Sequence, residues 1–218
     1  ALVLFACPLL LAVRATGQEA ATVRTAAPQL RVATEADRKD AWPMFRANAA
    51  RTGYVAGKLA SQLHLQWVYQ APHRPSPAWP RSPRMPFDRA FQTVIAEGKV
   101  IFGSSVDNTI YALDAGTGRE IWRFVTDGPI RFAPAVWQDR IFVASDDGFL
   151  YALHIAHGGL LWKIQGGPDL SSILGNQRLI SKWPARGGPA VVGNRVYFAA
   201  GIWPTDGIYL RAVDVRTG

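Results

Sequence analysis

A single cysteine, Cys7, among 218 residues leaves no partner for an internal disulfide and no thiolate cluster for a metal. Charge is scarce too: 18% of residues are charged against 49% hydrophobic, which excludes a disordered tail or a coiled coil. Acidic side chains are the minority, 16 against 24 basic, for a formal net charge of +8. Such a balance invites a nucleic-acid reading, but its distribution argues otherwise. Residues 1 to 91 hold 12 basic and 5 acidic side chains, whereas residues 92 to 218 hold 12 and 11. The excess lies in the leader and its loops, and no nucleic-acid partner is expected.

What the chain has in quantity are breakers and indoles. Twenty Gly and fifteen Pro are too many for a helical bundle and suit short strands joined by turns. Eight Trp require a structural cause. Ala1 to Val13 is apolar apart from Pro8, the length of a signal-peptide core and short of the ~20 residues that span a bilayer. Ala15-Thr16-Gly17 offers small residues for cleavage before Gln18. Residues 1–17 therefore read as the remnant of an export signal, with a buried strand or short helix as the alternative. An exported protein of the periplasm or cell envelope is expected, touching membrane only through an uncleaved signal or a lipid on Cys7.

Self-similarity decides the fold. Tyr111 to Trp122, YALDAGTGREIW, recurs 40 residues later as YALHIAHGGLLW, Tyr151 to Trp162. LRAVDVRTG, Leu210 to Gly218, is a third copy and predicts a Trp four residues beyond Gly218. Upstream of each copy, QTVIAEGKVIFGSS, PAVWQDRIFVASDD and GPAVVGNRVYFAAG align as paired strands. One unit reads as four strands, Ala133 to Trp137, Arg140 to Ser145, Phe149 to His154 and Leu160 to Ile164. Asp146-Asp147-Gly148 and Gly116-Thr117-Gly118 supply its type of hairpin turn. Four strands per ~40 residues is the period of a propeller blade. Leu65 to Tyr69 is an isolated fourth strand with Trp67 in the place of Trp122 and Trp162. The expected fold is all-β: a sector of a β-propeller with four-stranded antiparallel blades, about three present, belonging to a longer protein. Residues 18–64 are read as leader and linker, and 65–218 as the partial propeller.

These strings resemble the tryptophan-docking repeat of quinoprotein-type propellers, the pyrroloquinoline-quinone (PQQ) repeat superfamily. The resemblance covers about residues 42 to 218, and WPMFRANAARTGY, Trp42 to Tyr54, is similar to the leader before the first blade of exported members. It implies that Trp67, Trp122 and Trp162 stack between blades. His154 and His157 depart from Asp114 and Thr117 of the first copy, which implies a weaker second dock. The superfamily includes quinone-dependent alcohol and sugar dehydrogenases and the non-catalytic lipoprotein propeller of outer-membrane assembly.

Strand order sorts the loops. The enlarged connections, Gln70 to Asp88, Gln165 to Ala185 and Ile202 to Asp206, all fall at one end of the blades, the candidate binding face. Each carries a Trp-Pro pair: Trp79-Pro80, Trp183-Pro184 and Trp203-Pro204. Arg89, Arg131 and Arg186 each precede the start of an innermost strand by three residues. They would ring the channel mouth and favour a carboxylate or phosphate. The competing reading has the indoles capping loops and the arginines solvated or paired with blade carboxylates. His154 and His157 fall at a turn, so no metal site is expected; no serine has a helix-borne base nearby, so no catalytic residue is assigned.

Two functions follow. The first is a non-catalytic exported propeller that binds a protein, peptide or envelope ligand, or an anionic small molecule, through its long-loop face. The second is a quinoprotein oxidoreductase acting on alcohols or sugars, for which the resemblance implies PQQ with calcium. The residues alone establish no cofactor, and the chain lacks an adjacent cysteine pair and an evident Glu-Asn-Asp calcium set. Whether the protein is an enzyme is left open between them.

Overall fold

In a computed structural model the chain is described over residues 2–6, 9–13, 41–57, 59–81, 87–175 and 177–218. Cys7, the expected cleavage before Gln18, most of the leader and residues 82–86 of the proline-rich loop lie outside the described residues. Leu2–Ala6 (β1) and Leu9–Val13 (β2) pair antiparallel, and β2 runs parallel to Leu65–Trp67 (β3). The apolar stretch read as an export signal is thus a hairpin beside the isolated docking strand.

Two complete blades follow. The first is Thr93–Ala96 (β4), Lys99–Gly103 (β5), Thr109–Asp114 (β6) and Glu120–Val125 (β7); the second is Ala135–Trp137 (β8), Arg140–Ala144 (β9), Phe149–His154 (β10) and Leu160–Gln165 (β11). Each is a four-stranded antiparallel sheet in chain order. Within the next connection the chain forms a two-stranded hairpin, Ser172–Gly175 (β12) with Arg178–Ser181 (β13). Ala190–Val192 (β14), Arg195–Ala200 (β15) and Tyr209–Asp214 (β16) make a third, three-stranded sheet. The chain is all-β, a sector of a propeller.

Middle strands of the two complete blades are buried on both faces, so their alternation disappears and β6 is buried from Thr109 to Leu113. Val100, Phe102, Tyr111 and Leu113 pack towards Trp67 and Tyr69. From the opposite face of the same sheet, Ile101, Ile110 and Ala112 meet Ile141, Val143, Tyr151 and Leu153 of the second. Phe142, Ala144, Leu150 and Ala152 then meet Val196, Phe198 and Val215 of the third. The outer strand β7 buries Trp122 but exposes Glu120, Ile121, Arg123 and Val125.

Each indole reaches the next sheet. Trp67 Nε1 donates to the Ala115 carbonyl at 3.0 Å, and Trp122 Nε1 to that of Ile155 at 2.9 Å. A Cβ on Gly118 or Gly158 would sit 2.5 Å from the indole of Trp67 or Trp122. Both glycines also have positive φ, +72° and +71°, so only glycine both makes the turn and admits the ring. A register irregularity between Ala112 and Leu113, repeated between Ala152 and Leu153, lies opposite Trp122 and Trp162, a bulge that re-aims the indole. Trp162 lies against Gly218, and its buried Nε1 has no partner among the described residues.

The leader does more than connect. Trp42 exchanges two backbone hydrogen bonds with Ile95 of β4, and Pro43 accepts from Val136 of β8. Arg51 donates to the Phe45, Gly188 and Pro189 carbonyls, and burial lowers its guanidinium pKa. Met44 is buried among Ala135, Ala185 and Val191. One segment thereby covers first-strand edges where the three sheets converge, satisfying backbone groups that would otherwise be unpaired.

Candidate functional site

Two of the long connections meet over the second blade. The segment 70–81 arrives from one side, and its Ser76 N–H donates to Ser105 Oγ. The hairpin β12–β13 arrives from the other. Ser181 N–H donates to the Asp146 carbonyl, and Arg178 reaches the Val106 carbonyl and Asn108 of the first blade. Beneath them lies the β9–β10 turn with Asp146 at its centre.

Asp146 holds two guanidiniums. Arg131 Nε donates to Oδ2 at 2.6 Å, while Arg186 places Nε on Oδ1 and Nη2 on Oδ2, both at 2.8 Å. Arg131 Nη1 continues to the Ser76 carbonyl at 2.7 Å and to Asp88 Oδ2 at 2.6 Å. Asp88 Oδ2 also accepts from the Ala78 N–H at 2.7 Å. The Arg131, Asp88 and Asp146 side chains are 2%, 1% and 1% exposed, and that of Arg186 is 9% exposed. Two positive and two negative charges cancel, and each buried ion has the partner its burial demands. One donor and one acceptor are left over: Arg186 Nη1 and Asp88 Oδ1 are buried without a hydrogen-bond partner among the described residues.

Above this floor is a pocket of about 230 Å³ lined by Ala78, Trp79, Arg131, Ile173, Leu174, Gly175, Ile180, Arg186, Ile202 and Trp203. The Arg186 guanidinium lies 4.8 Å over the Trp79 ring. Trp79 meets Phe87 edge-on, and Phe87 stacks on Phe132 at 5.0 Å. Trp203, 49% exposed, stands at the start of the short 3-10 turn Pro204–Asp206.

Of the six residues expected to bind ligand, four share this pocket: Trp79, Trp203, Arg131 and Arg186. Trp183 is buried beside it, giving its Nε1 to the Asp206 carbonyl at 2.7 Å and packing against Gly167. Arg89 is exposed and does not line the pocket. The arginines therefore do not form an open ring of three donors; Arg131 and Arg186 share Asp146 of the second blade, and Arg131 also pairs with Asp88 of the long connection. Asp88 and Asp146 were not expected in the site. A clue to Asp146 exists in the repeat: Asp107 and Asp147 each accept from a tyrosine four residues on, which puts Asp146 where the first blade has Val106.

Asp147 itself serves the turn. It accepts from Tyr151 Oη and the Asp127 and Phe149 N–H groups. Burial raises its carboxyl pKa, and those hydrogen bonds oppose the rise. His154 and His157 stack at 4.3 Å, each Nδ1 accepting a backbone N–H, in a turn where Asp114 and Thr117 do the equivalent work in the first blade.

The repeat family described as outer membrane protein assembly factor BamB matches residues 46–218. The chain belongs to this PQQ-like propeller family. Solved structures similar to it include a quinohemoprotein alcohol dehydrogenase of Pseudomonas putida HK5, at 22% identity and TM-score 0.60, covering 84% of this chain and 26% of that one. A europium-containing methanol dehydrogenase is 19% identical, with TM-score 0.54 over 82% of this chain and 30% of its own. The quinohemoprotein alcohol dehydrogenase of Comamonas testosteroni gives 19%, TM-score 0.52, and 82% and 26%. At these identities the likeness is one of fold, and the chain spans 26% to 30% of their lengths. A comparison with curated proteins finds no match. The two guanidiniums that line the pocket are paired with Asp88 and Asp146, and its volume is below the ~300 Å³ at which small-molecule sites begin.

Proposed function

We propose that this chain is part of an exported, envelope-resident propeller that binds a protein partner through its long-loop face, as a scaffold rather than as a catalyst. The observation carrying this reading is the convergence of two long insertions on one rigid, charge-balanced floor, leaving apolar surface at the rim. Leu174 and its cross-strand neighbour Leu179 are 78% and 70% exposed, next to the half-exposed Trp203. Contiguous exposed apolar groups around a pocket mark interaction surfaces. The alternative, a PQQ- and calcium-dependent dehydrogenase, draws on the family alone.

The test uses the full-length protein. Leu174→Ser with Trp203→Ala should abolish retention of its envelope partner, whereas Gln138→Ala with Asn194→Ala, on the opposite face, should leave it intact. Equal loss from both pairs overturns the reading. Micromolar PQQ binding with calcium and dye reduction would replace it with the oxidoreductase.

A further inference from the structure

The turns that receive the two docked indoles share a backbone and differ in what closes them. Trp67 enters the turn 114–118 and Trp122 the turn 154–158. In the first, the Asp114 N–H donates to the Arg119 carbonyl and the Gly118 N–H to the Asp114 carbonyl; in the second, the His154 N–H donates to the Gly159 carbonyl and the Gly158 N–H to the His154 carbonyl. Side-chain closure in the first turn is a carboxylate, with Asp114 Oδ1 accepting from the Gly116 and Thr117 N–H groups and the Thr117 hydroxyl. In the second it is a pair of imidazoles. His154 Nδ1 accepts from the Ala156 N–H at 3.1 Å, and His157 Nδ1 from the Gly159 N–H at 3.0 Å. We propose that this pair makes the dock between the first and second blades an acid-sensitive latch, closed at neutral pH and loosened below it, while the dock of Trp67 stays closed.

Three observations carry it. A ring nitrogen that accepts a hydrogen bond needs its lone pair, and an imidazolium has none, so protonation of either ring sets donor against donor. Imidazole changes charge between about pH 5 and 8, whereas an ordinary aspartate remains an acceptor through that range. Second, the two rings stack with centroids 4.3 Å apart and planes 5° apart, so charging both adds a repulsion to the lost bonds. His157 is exposed and His154 half-buried, within reach of solvent protons. Third, the segment they close is the dock itself. The Ile155 carbonyl accepts from Trp122 Nε1 at 2.9 Å, and a Cβ on Gly158 would strike the indole at 2.5 Å. Trp122 in turn is part of the core that joins the two sheets.

The charged groups on the adjoining elements do not take over the task. Asp139 and Arg140, in the β8–β9 hairpin, pair with each other at 3.7 Å, and Glu120 and Arg123 of β7 do so at 2.9 Å. Arg119, just before β7, and Lys163, which lies over the Phe149 and Tyr151 rings, are cations and cannot hold an imidazolium. The opened turn therefore takes up protons that the closed turn excludes, and acid opens it. The latch works whatever the long-loop face binds.

The experiment measures solvent exchange of the Trp67 and Trp122 indole N–H groups in the full-length protein at pH 7.5 and 5.5, each corrected for intrinsic exchange at that pH. Protection of Trp122 should fall about 10-fold relative to Trp67, the effect of losing one or two hydrogen bonds. His154→Asp with His157→Thr installs the closure of the first turn and should remove this difference, with Trp67 protection unchanged. Equal loss at both indoles, or a Trp122 loss that persists in the double variant, overturns the inference. Nitrogen-15 shifts of the two imidazoles test it in the unaltered protein: at pH 7.5 both Nδ1 atoms should be the unprotonated nitrogens, and a proton on either Nδ1 at that pH would overturn it as well.

Discussion

The short-turn end of the blades closes its loops locally, whereas the long-loop end adds long-range ion pairs to such local closures. At the short-turn end, aspartate closes its own loop: Asp114 Oδ1 takes the Gly116 and Thr117 N–H groups and the Thr117 hydroxyl, and Asp214 repeats this with Arg216 and Thr217. At the long-loop end, Asp146 closes nothing local with its carboxylate. It binds Arg131 and Arg186, which are 15 and 40 residues away. Indoles divide likewise. Trp67 and Trp122 are spent on a neighbouring sheet, while Trp79 and Trp203 line a pocket. Local closure makes a blade repeatable; long-range closure makes one end of it unlike any other.

That contrast predicts unequal costs for similar substitutions. Asp146→Ala leaves two buried guanidiniums without their shared anion and should destabilise the protein by about 3–5 kcal/mol in chemical denaturation. Asp114→Ala, in an exposed turn, should cost about 1 kcal/mol; equal losses would erase the distinction between the two ends. Gly158→Ala forces a methyl against the Trp122 ring at a positive φ and should cost about 2–3 kcal/mol. Trp122→Phe keeps most of the packing but strands the Ile155 carbonyl, for about 1–2 kcal/mol.

The smallest effect is a titration. Because burial raises the Asp147 carboxyl pKa, the folded state keeps a proton that the unfolded state has released. Stability should therefore fall as pH rises from the ordinary carboxylate value through the raised one. Tyr151→Phe removes a hydrogen bond that opposes the rise, so the Asp147 midpoint should move higher still, measured from its carboxyl carbon resonance. A midpoint that drops would show the tyrosine hydroxyl working in the reverse sense.

The same division governs what could be read before the structure. The blades were legible because their rules are local and repeated: Phe149–His154 was expected with the ends it has, and Leu160 to Ile164 differs from β11 by one residue. Placement of the long loops on one end followed from strand order, which is why Trp79, Trp203, Arg131 and Arg186 could be nominated together. The pairing of Arg131 with Asp88 was not legible, because 43 residues separate them and nothing periodic links them. The hairpin β12–β13 was read as plain connection, although Ser-Ile-Leu and Arg-Leu-Ile stand on either side of a Gly-Asn-Gln stretch whose Gly and Asn are turn formers. Its strands are only four residues each and belong to no repeat. The covering of first-strand edges by residues 42–51 likewise depends on contacts between distant parts of the chain.

Site-specific photo-crosslinking in the full-length protein tests the division of faces most directly. With a benzophenone side chain at position 203 or 138, illumination in intact cells should attach one partner protein through position 203 and none through position 138. Attachment of that partner through position 138, with none through 203, would contradict the account.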